Sequence, residues 1–172
     1  MDGFMDCSDA ILSRRPLEDR QRILKDSHTG AFAVISIVFY ILAYFAFAST
    51  AITIGIDFAN MILLVCLSRS VSGLHVLIAK PMQTSQYAGS FAAGKTKTQR
   101  RILLGMYIAV MLVVFLWLFS KPSCALAVAW AGLTTILACR LARRNLGGMS
   151  GDIAGFSLTL GELSGLLILA IF

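Results

Sequence analysis

Residues 31–54 read AFAVISIVFYILAYFAFASTAITI, an unbroken run without a single charge. At about 1.5 Å rise per residue such a run crosses the roughly 30 Å hydrocarbon core of a bilayer as one helix. No other regular element of a single segment satisfies its own backbone in lipid. Reading outward, Gly55-Ile56-Asp57 is a minimal turn, and Phe58 to Ala79 returns, interrupted by Ser68-Arg69-Ser70 and by Ser72-Gly73. A polar and basic connection follows from Lys80 to Arg101, Ile102 to Phe119 crosses again, Ser120-Lys121-Pro122 turns, and Ser123 to Cys139 comes back. Arg140 to Asp152 is a basic, glycine-rich connection, and Ile153 to Phe172 makes a fifth span. The expected fold is an all-α polytopic bundle of five spans, with broken or re-entrant helices left open for 58–79. It forms one membrane domain over 1–172, with residues 1–30 outside the spans.

Composition agrees. Of 172 residues, 58% are hydrophobic and 14% charged, with a mean hydropathy of +0.80; a soluble domain carries about a quarter charged residues. The net charge of +6 is therefore read by position, as topology, and gives no ground for a nucleic-acid partner. Thirteen of the 15 Lys and Arg fall in 1–30, 80–101 and 140–152, which the span order puts on one side; Lys121 is on the other and Arg69 within a span. By the positive-inside tendency the basic side is cytoplasmic, in the cytoplasmic (inner) membrane. Asp2, Asp6, Asp9, Asp26 and Asp152 share that side.

Before the first span, Pro16 followed by Leu17, Ile23 and Leu24 suggests a helix starting near Ser13, its modest apolar face lying on the membrane surface. No signal peptide opens the chain, so the first span is expected to act as its own insertion signal. Cys7, Cys66, Cys124 and Cys139 show no CxxC spacing, and three of them sit in apolar runs as small hydrophobes.

Asp2, Asp6 and Asp9 recur at i, i+4, i+7, which on a helix lines three carboxylates along one face. Like charges so placed repel unless a cation sits among them, and hard oxygen ligands suit Mg²⁺ or Mn²⁺. Gly3 leaves room for a ligand to approach the backbone. An acidic, solvated turn is the alternative, and spacing alone leaves both open. Asp152, after Gly147, Gly148 and Gly151, reads as part of a helix start whose free N–H groups hold a phosphate oxygen, or as an ordinary acidic N-terminus. The pairs Gly151/Gly155 and Gly161/Gly165 permit close helix packing. Arg69 and Glu162 are ionisable residues inside spans at similar depth; a charge there costs roughly 2.5–3.5 kcal/mol on insertion scales, so each needs a partner or a wet cavity. A structural ion pair and a substrate contact both fit. His28 and His75 read as structural or solvated.

These residues also carry a resemblance. Asp2-Gly3-x-x-Asp6-x-x-Asp9, then Ile23-Leu24-Lys25-Asp26-Ser27-x-x-Gly30, then Gly147-Gly148-Met149-Ser150-Gly151-Asp152-x-x-Gly155 is similar to the cobalamin synthase family, the adenosylcobinamide-GDP ribazoletransferases. The likeness runs in the same order from residue 1 to about residue 165, and Ser68-Arg69 falls where the family has a similar pair. The resemblance implies a membrane enzyme of late cobalamin (vitamin B12) biosynthesis that joins adenosylcobinamide-GDP to α-ribazole or α-ribazole 5′-phosphate, releases GMP and needs Mg²⁺. It implies Asp2, Asp6, Asp9 and Asp152 as catalytic and metal-binding residues. Lys25, Asp26, Ser27, Arg69, Gly148 and Glu162 are expected on the substrates, Lys25 and Arg69 at phosphate oxygens. The implied partners are the two substrates and the lipid bilayer, with a homo-oligomer or association with other cobalamin-assembly enzymes left open.

The sequence departs from the family pattern in three places. It begins inside the first motif, with Met1 where the family has an acid and with the preceding span and histidine outside it, so a fragment, a misassigned start or a degenerate homologue is expected. His28 stands where relatives tend to have Arg, and Thr159 where they usually have a glutamate. Two rival classes are a CDP-alcohol phosphatidyltransferase-like enzyme, whose DG–AR pairing lacks its Ala-Arg here, and a non-catalytic transporter or assembly subunit with Arg69 and Glu162 lining a path.

Overall fold

The computed structural model describes residues 1–80, Met82, Tyr107 and 122–172. The described residues form six helices: α1 (Asp2–Leu12), α2 (Leu17–Ile23), α3 (Ala31–Ile54), α4 (Phe58–Ile78), α5 (Pro122–Leu146) and α6 (Gly151–Ile171). Four of them, over Ala31–Ile54, Phe58–Val76, Cys124–Leu146 and Gly151–Ile171, are long and apolar enough to span a membrane. The expected all-α, multi-pass architecture is thus found. Apart from Tyr107, the span expected over Ile102–Phe119, with most of the connection before it, lies outside the described residues.

The opening run forms α3 with the bounds its composition dictates. It starts after Gly30 and ends at Gly55, whose φ of +85° closes the helix in the left-handed conformation that glycine adopts without strain. Only Ala33, Tyr40 and Ala51 of α3 are buried, while Phe39 and Phe45 stand fully out from the bundle. A helix apolar all round with one thin buried stripe is suited to lipid on its other faces.

Three boundaries differ from the sequence reading. The helix expected to start near Ser13 begins at Leu17: α1 ends at Leu12 with Ser13 as its cap, Arg14 takes a left-handed φ of +52°, and α2 follows Pro16. Pro16 supplies a fixed φ and needs no N–H partner at a helix start, which puts the boundary there. Residues 58–78 make one continuous helix, since the hydroxyls that suggested a break bond back within it: Ser68 to the Val65 carbonyl at 3.0 Å and Ser70 to the Cys66 carbonyl at 2.7 Å. The span ending at Cys139 instead continues to Leu146 and carries Arg140, Arg143 and Arg144 on it. The basic residues there belong to the last turns of a helix, where cations complement the dipole. The turn proper is confined to Gly147–Ser150, with Gly147 at φ +83°.

Packing gathers the ends of the helices at one pole. α5 and α6 form an antiparallel hairpin, and α4 lies against both. The Met149 N–H donates to the Lys80 carbonyl at 3.0 Å and the Met82 N–H to the Met149 carbonyl at 2.9 Å, tying the end of α4 to the α5–α6 turn. Small residues set the helix separations: a Cβ at Gly161 would run into the Thr135 hydroxyl, and one at Gly165 into Leu64 and Ala131. The expected close packing through Gly161 and Gly165 is thus how α6 seats on α5 and α4.

Candidate active site

α1 is short and amphipathic, and its apolar side decides where its acidic side goes. Phe4, Cys7 and Ala10 are buried, while Asp6 and Asp9 are half-buried and Asp2 is exposed. Phe4 stacks on Phe156 of α6 with ring centroids 5.8 Å apart, and meets Tyr40 of α3 at 5.4 Å. These aromatic contacts, each worth about 0.5–1.5 kcal/mol beyond area burial, hold the first helix against both spans. The sequence reading singled out none of Phe4, Tyr40 and Phe156; the i, i+3, i+6 spacing of Phe4, Cys7 and Ala10 was the available sign of a buried face opposite the aspartates.

The crossing is closer than side chains allow. A Cβ at Gly3 would lie 2.6 Å from the Asp152 Cα, and Gly155 in turn faces the Gly3 Cα at 3.8 Å from its own would-be Cβ. What comes close to Gly3 is therefore the backbone of Asp152, where a ligand was expected. Asp152 sits in the first turn of α6 behind the N-cap Ser150, whose hydroxyl accepts from the Ile153 N–H at 3.3 Å. That capping bond occupies one of the free amides expected to hold a phosphate. At the other end of α1, a Cβ at Gly30 would overlap the Asp9 carboxylate, so the loop from α2 into α3 packs directly on that side chain.

Asp2, Asp6, Asp9 and Asp152 are brought together by this crossing, although 143 positions separate the last two. The clearest electrostatic sign is on Asp6, whose pKa is pushed up to about 6, chiefly by burial and then by Asp2, Asp152 and Asp9 in that order. Beneath them, burial above all, with Asp152 and Asp6 adding to it, pushes the Cys7 thiol up, which makes it an inert filler. Carboxylates crowded without a counterion are what a divalent cation relieves, and oxygen donors suit Mg²⁺ or Mn²⁺. As the side chains stand, no three of His, Cys, Asp and Glu among the described residues converge on one point that would hold an ion. The donor chemistry fits such an ion, with side-chain rotation to close the shell.

The remaining expected site residues divide by location. Lys25, Asp26 and Ser27 are exposed in the α2–α3 loop that reaches Asp9 through Gly30. Asp26 is engaged locally: it accepts from the His28 N–H at 3.1 Å and lies 2.7 Å from its ring Nδ1, contacts that hold its carboxyl below the usual range. Gly148 is pressed against Met82, where a Cβ would lie 2.6 Å from the Met82 Cα, so its glycine is required by packing. Arg69 and Glu162 do pair across α4 and α6, with Nε 3.9 Å from Oε1, and the same oxygen accepts from Ser68 at 3.0 Å. Glu162 is 14% exposed against 63% for Arg69, so the acid is the constrained member and the guanidinium keeps donors free. One turn nearer the acidic pole, the Ser72 hydroxyl donates to the Ala154 carbonyl at 2.9 Å and fixes α4 beside the start of α6.

The family model described as cobalamin-5-phosphate synthase matches residues 1–170. The chain is 39% identical over 171 residues to the adenosylcobinamide-GDP ribazoletransferase of Clostridium perfringens (strain 13 / Type A), covering 99% of this chain and 67% of that protein. It is 32% identical to the protein of the same name from Clostridium botulinum (strain Alaska E43 / Type E3), covering 100% of this chain and 68% of the relative. That from Halalkalibacterium halodurans is 33% identical over 95% of this chain and 63% of its own length. No solved structure matches the chain at a significant level. The chain thus spans about two thirds of the length of these two clostridial relatives, and with residues 1–170 matched it belongs to the cobalamin-5-phosphate synthase family.

Proposed function

We infer that the protein joins adenosylcobinamide-GDP to α-ribazole or α-ribazole 5′-phosphate and releases GMP, at the cytoplasmic face of the inner membrane, with Mg²⁺ held by Asp2, Asp6, Asp9 and Asp152. The observation that carries this reading is the crossing of α1 over the start of α6, which gathers four carboxylates at one pole of a membrane bundle. The names of the relatives support the substrates, and the excess of Lys and Arg in the segments that the span order puts on the side of these carboxylates supports the cytoplasmic face.

In this reaction a ribose hydroxyl oxygen bonds to the phosphorus on the cobinamide side of the pyrophosphate. The bond from that phosphorus to the bridging oxygen breaks, and GMP leaves with the bridging oxygen. When bound, a divalent cation supplies charge neutralisation for the reacting phosphoryl group and the departing GMP. One carboxylate of the four takes the hydroxyl proton as the new P–O bond forms. Lys25, on the exposed loop beside Asp9, and Arg69, with guanidinium donors left over from Glu162, bind phosphate oxygens and orient the pyrophosphate. The aromatic contacts of Phe4 keep α1 from shifting as the substrates bind.

GMP release by the purified chain tests this directly. Asp2→Asn and Asp6→Asn are each expected to lower it by at least about a hundredfold, in keeping with the loss of a cation ligand or base, and omission of Mg²⁺ should do the same. A transporter or assembly subunit would tolerate both substitutions, so full function in the variants would overturn the enzyme reading.

A further inference from the structure

We propose that the lipid-facing side of α5 and the helix α2 docked on its end form a recognition surface for the headgroup of an anionic phospholipid. Leu137 and Leu141 of α5 are exposed although they lie within a membrane-spanning helix, so this side of α5 faces acyl chains. The same stripe continues into Arg140 and Arg144, three to seven positions on and also exposed. With about 1.5 Å of rise per residue, Arg144 stands roughly 10 Å above Leu137, the separation of a phosphate from the upper part of its own acyl chains. A lipid lying along the leucines therefore presents its phosphate to the two guanidinium groups.

α2 completes the surface from the side. Arg20 donates through Nη1 to Asn145 Oδ1 at 2.8 Å, and Gln21 donates through Nε2 to the Leu146 carbonyl at 2.8 Å, so α2 is fixed to the last turn of α5. Asn145 in turn donates to the Leu141 carbonyl at 2.9 Å, which holds its amide for Arg20. The Nε atoms of Arg20 and Arg143 are both buried without a hydrogen-bond partner. All nine acids of the sequence are among the described residues, and none lies within 4 Å of Arg20, Arg140, Arg143 or Arg144. Cations gathered with no acid of their own favour an anion from outside.

The anion is a lipid phosphate and not the pyrophosphate of the reaction for two reasons. The exposed leucines give the site an acyl-chain side that a soluble nucleotide does not need. Arg140 and Arg144 lie on the exposed side of α5, whereas the side that packs with Phe4, Cys7 and Ala10 of α1 is made by Ala138, Cys139, Ala142 and Leu146, which sets the basic surface apart from the carboxylates. Clusters of four or more Lys and Arg at the end of a spanning helix attract anionic leaflets, each charge adding to the preference. Here Arg140, Arg143 and Arg144 share the last two turns of α5, and Arg20 is bonded to Asn145 of the same turns.

The test is lipid binding to the purified full chain in neutral detergent, by native mass spectrometry, with short-chain phosphatidylglycerol, phosphatidylcholine and inorganic phosphate as probes. The wild-type chain should retain phosphatidylglycerol over phosphatidylcholine by about tenfold or more. Arg140→Gln/Arg144→Gln should abolish most of that preference while leaving phosphatidylcholine retention and the helical circular dichroism unchanged. Arg14→Gln/Arg15→Gln, which removes the same charge from the α1–α2 turn, should keep it. Should the α5 double variant fail to fold, Arg20→Gln serves in its place, with a partial loss expected. An unchanged preference in the α5 variant, or in Arg20→Gln when it is the variant used, would overturn the proposal. So would an equal loss in the Arg14/Arg15 control, or displacement of phosphatidylglycerol by inorganic phosphate at the same concentration. GMP release plays no part in the readout, so failure of the enzymatic reading leaves this outcome unaffected.

Discussion

Gly3 and Asp152 meet backbone to backbone: a Cβ on residue 3 would stand 2.6 Å from the Asp152 Cα and 2.8 Å from its carbonyl oxygen. The contact joins a helix at one end of the chain to a helix at the other, and both carry the acidic residues of the site. Gly3→Ala should force α1 away from α6, at a cost of roughly 1–3 kcal/mol as for other overpacked contacts. Its thermal midpoint in detergent is expected to drop and its GMP release to fall more steeply than that of a surface control such as Glu18→Ala. Unchanged activity in Gly3→Ala would mean that the crossing does not position the carboxylates.

Asp6 gives a pH dependence with a definite sign. Its folded-state pKa is raised from 3.8 to about 6, by burial first and by the neighbouring carboxylates next. The folded chain therefore binds a proton more tightly than the unfolded chain, and the stability this contributes is present below about pH 4 and lost as the pH rises through about 6. In chelator, the melting temperature should decline across that window, and Asp6→Asn should flatten the decline. Added Mg²⁺ is expected to restore stability at pH 7 in the wild type and to restore less in the variant.

A third test lies deeper in the bundle. Ser68 is fully buried and donates to the Glu162 oxygen that also faces Arg69. Ser68→Ala leaves a shielded carboxylate one donor short, costing roughly 1.5–3 kcal/mol for a hydrogen bond to a charged group. In a Glu162→Leu background the same change should cost far less, because no carboxylate remains to be satisfied. A double-mutant cycle with no coupling would show that the contact contributes nothing to stability.

Helix packing supplies a fourth. Thr135 fills the space beside Gly161, where its hydroxyl is held by the Ala131 carbonyl at 2.8 Å. Gly161→Ala should destabilise the α5–α6 hairpin, and Thr135→Ala in the same chain should recover most of the loss. Failure of the second change to rescue the first would place the strain elsewhere.

The spans were legible because lipid imposes a strong rule, long apolar runs with every backbone group satisfied inside the helix. Ala31 to Ile54 obeys it without exception and was bounded correctly from composition alone. The rule says less about polar residues within or at the ends of spans. Ser68 and Ser70 looked like a break and are satisfied by their own helix, and Arg140 to Arg144 looked like a loop and form the end of α5. The acidic spacing of Asp2, Asp6 and Asp9 was readable as one helical face, and Asp152 was readable as a helix start. The charge pattern put them on one side of the membrane and the family resemblance implied one site, but the contacts that join them were not legible: Gly3 fitting the Asp152 backbone and Phe4 stacking with Phe156. Such contacts join positions about 150 residues apart, and no local pattern encodes them.

The central claim is that carboxylates from α1 and α6 hold one divalent cation between them. Mn²⁺ binding to the purified chain, followed by electron paramagnetic resonance, measures this without a need for substrates. A shared site requires one tight Mn²⁺ per chain, competed by Mg²⁺, and a loss of affinity of at least about tenfold in Asp6→Asn and in Asp152→Asn alike. Wild-type affinity in Asp152→Asn would contradict it, because the ion would then belong to α1 alone.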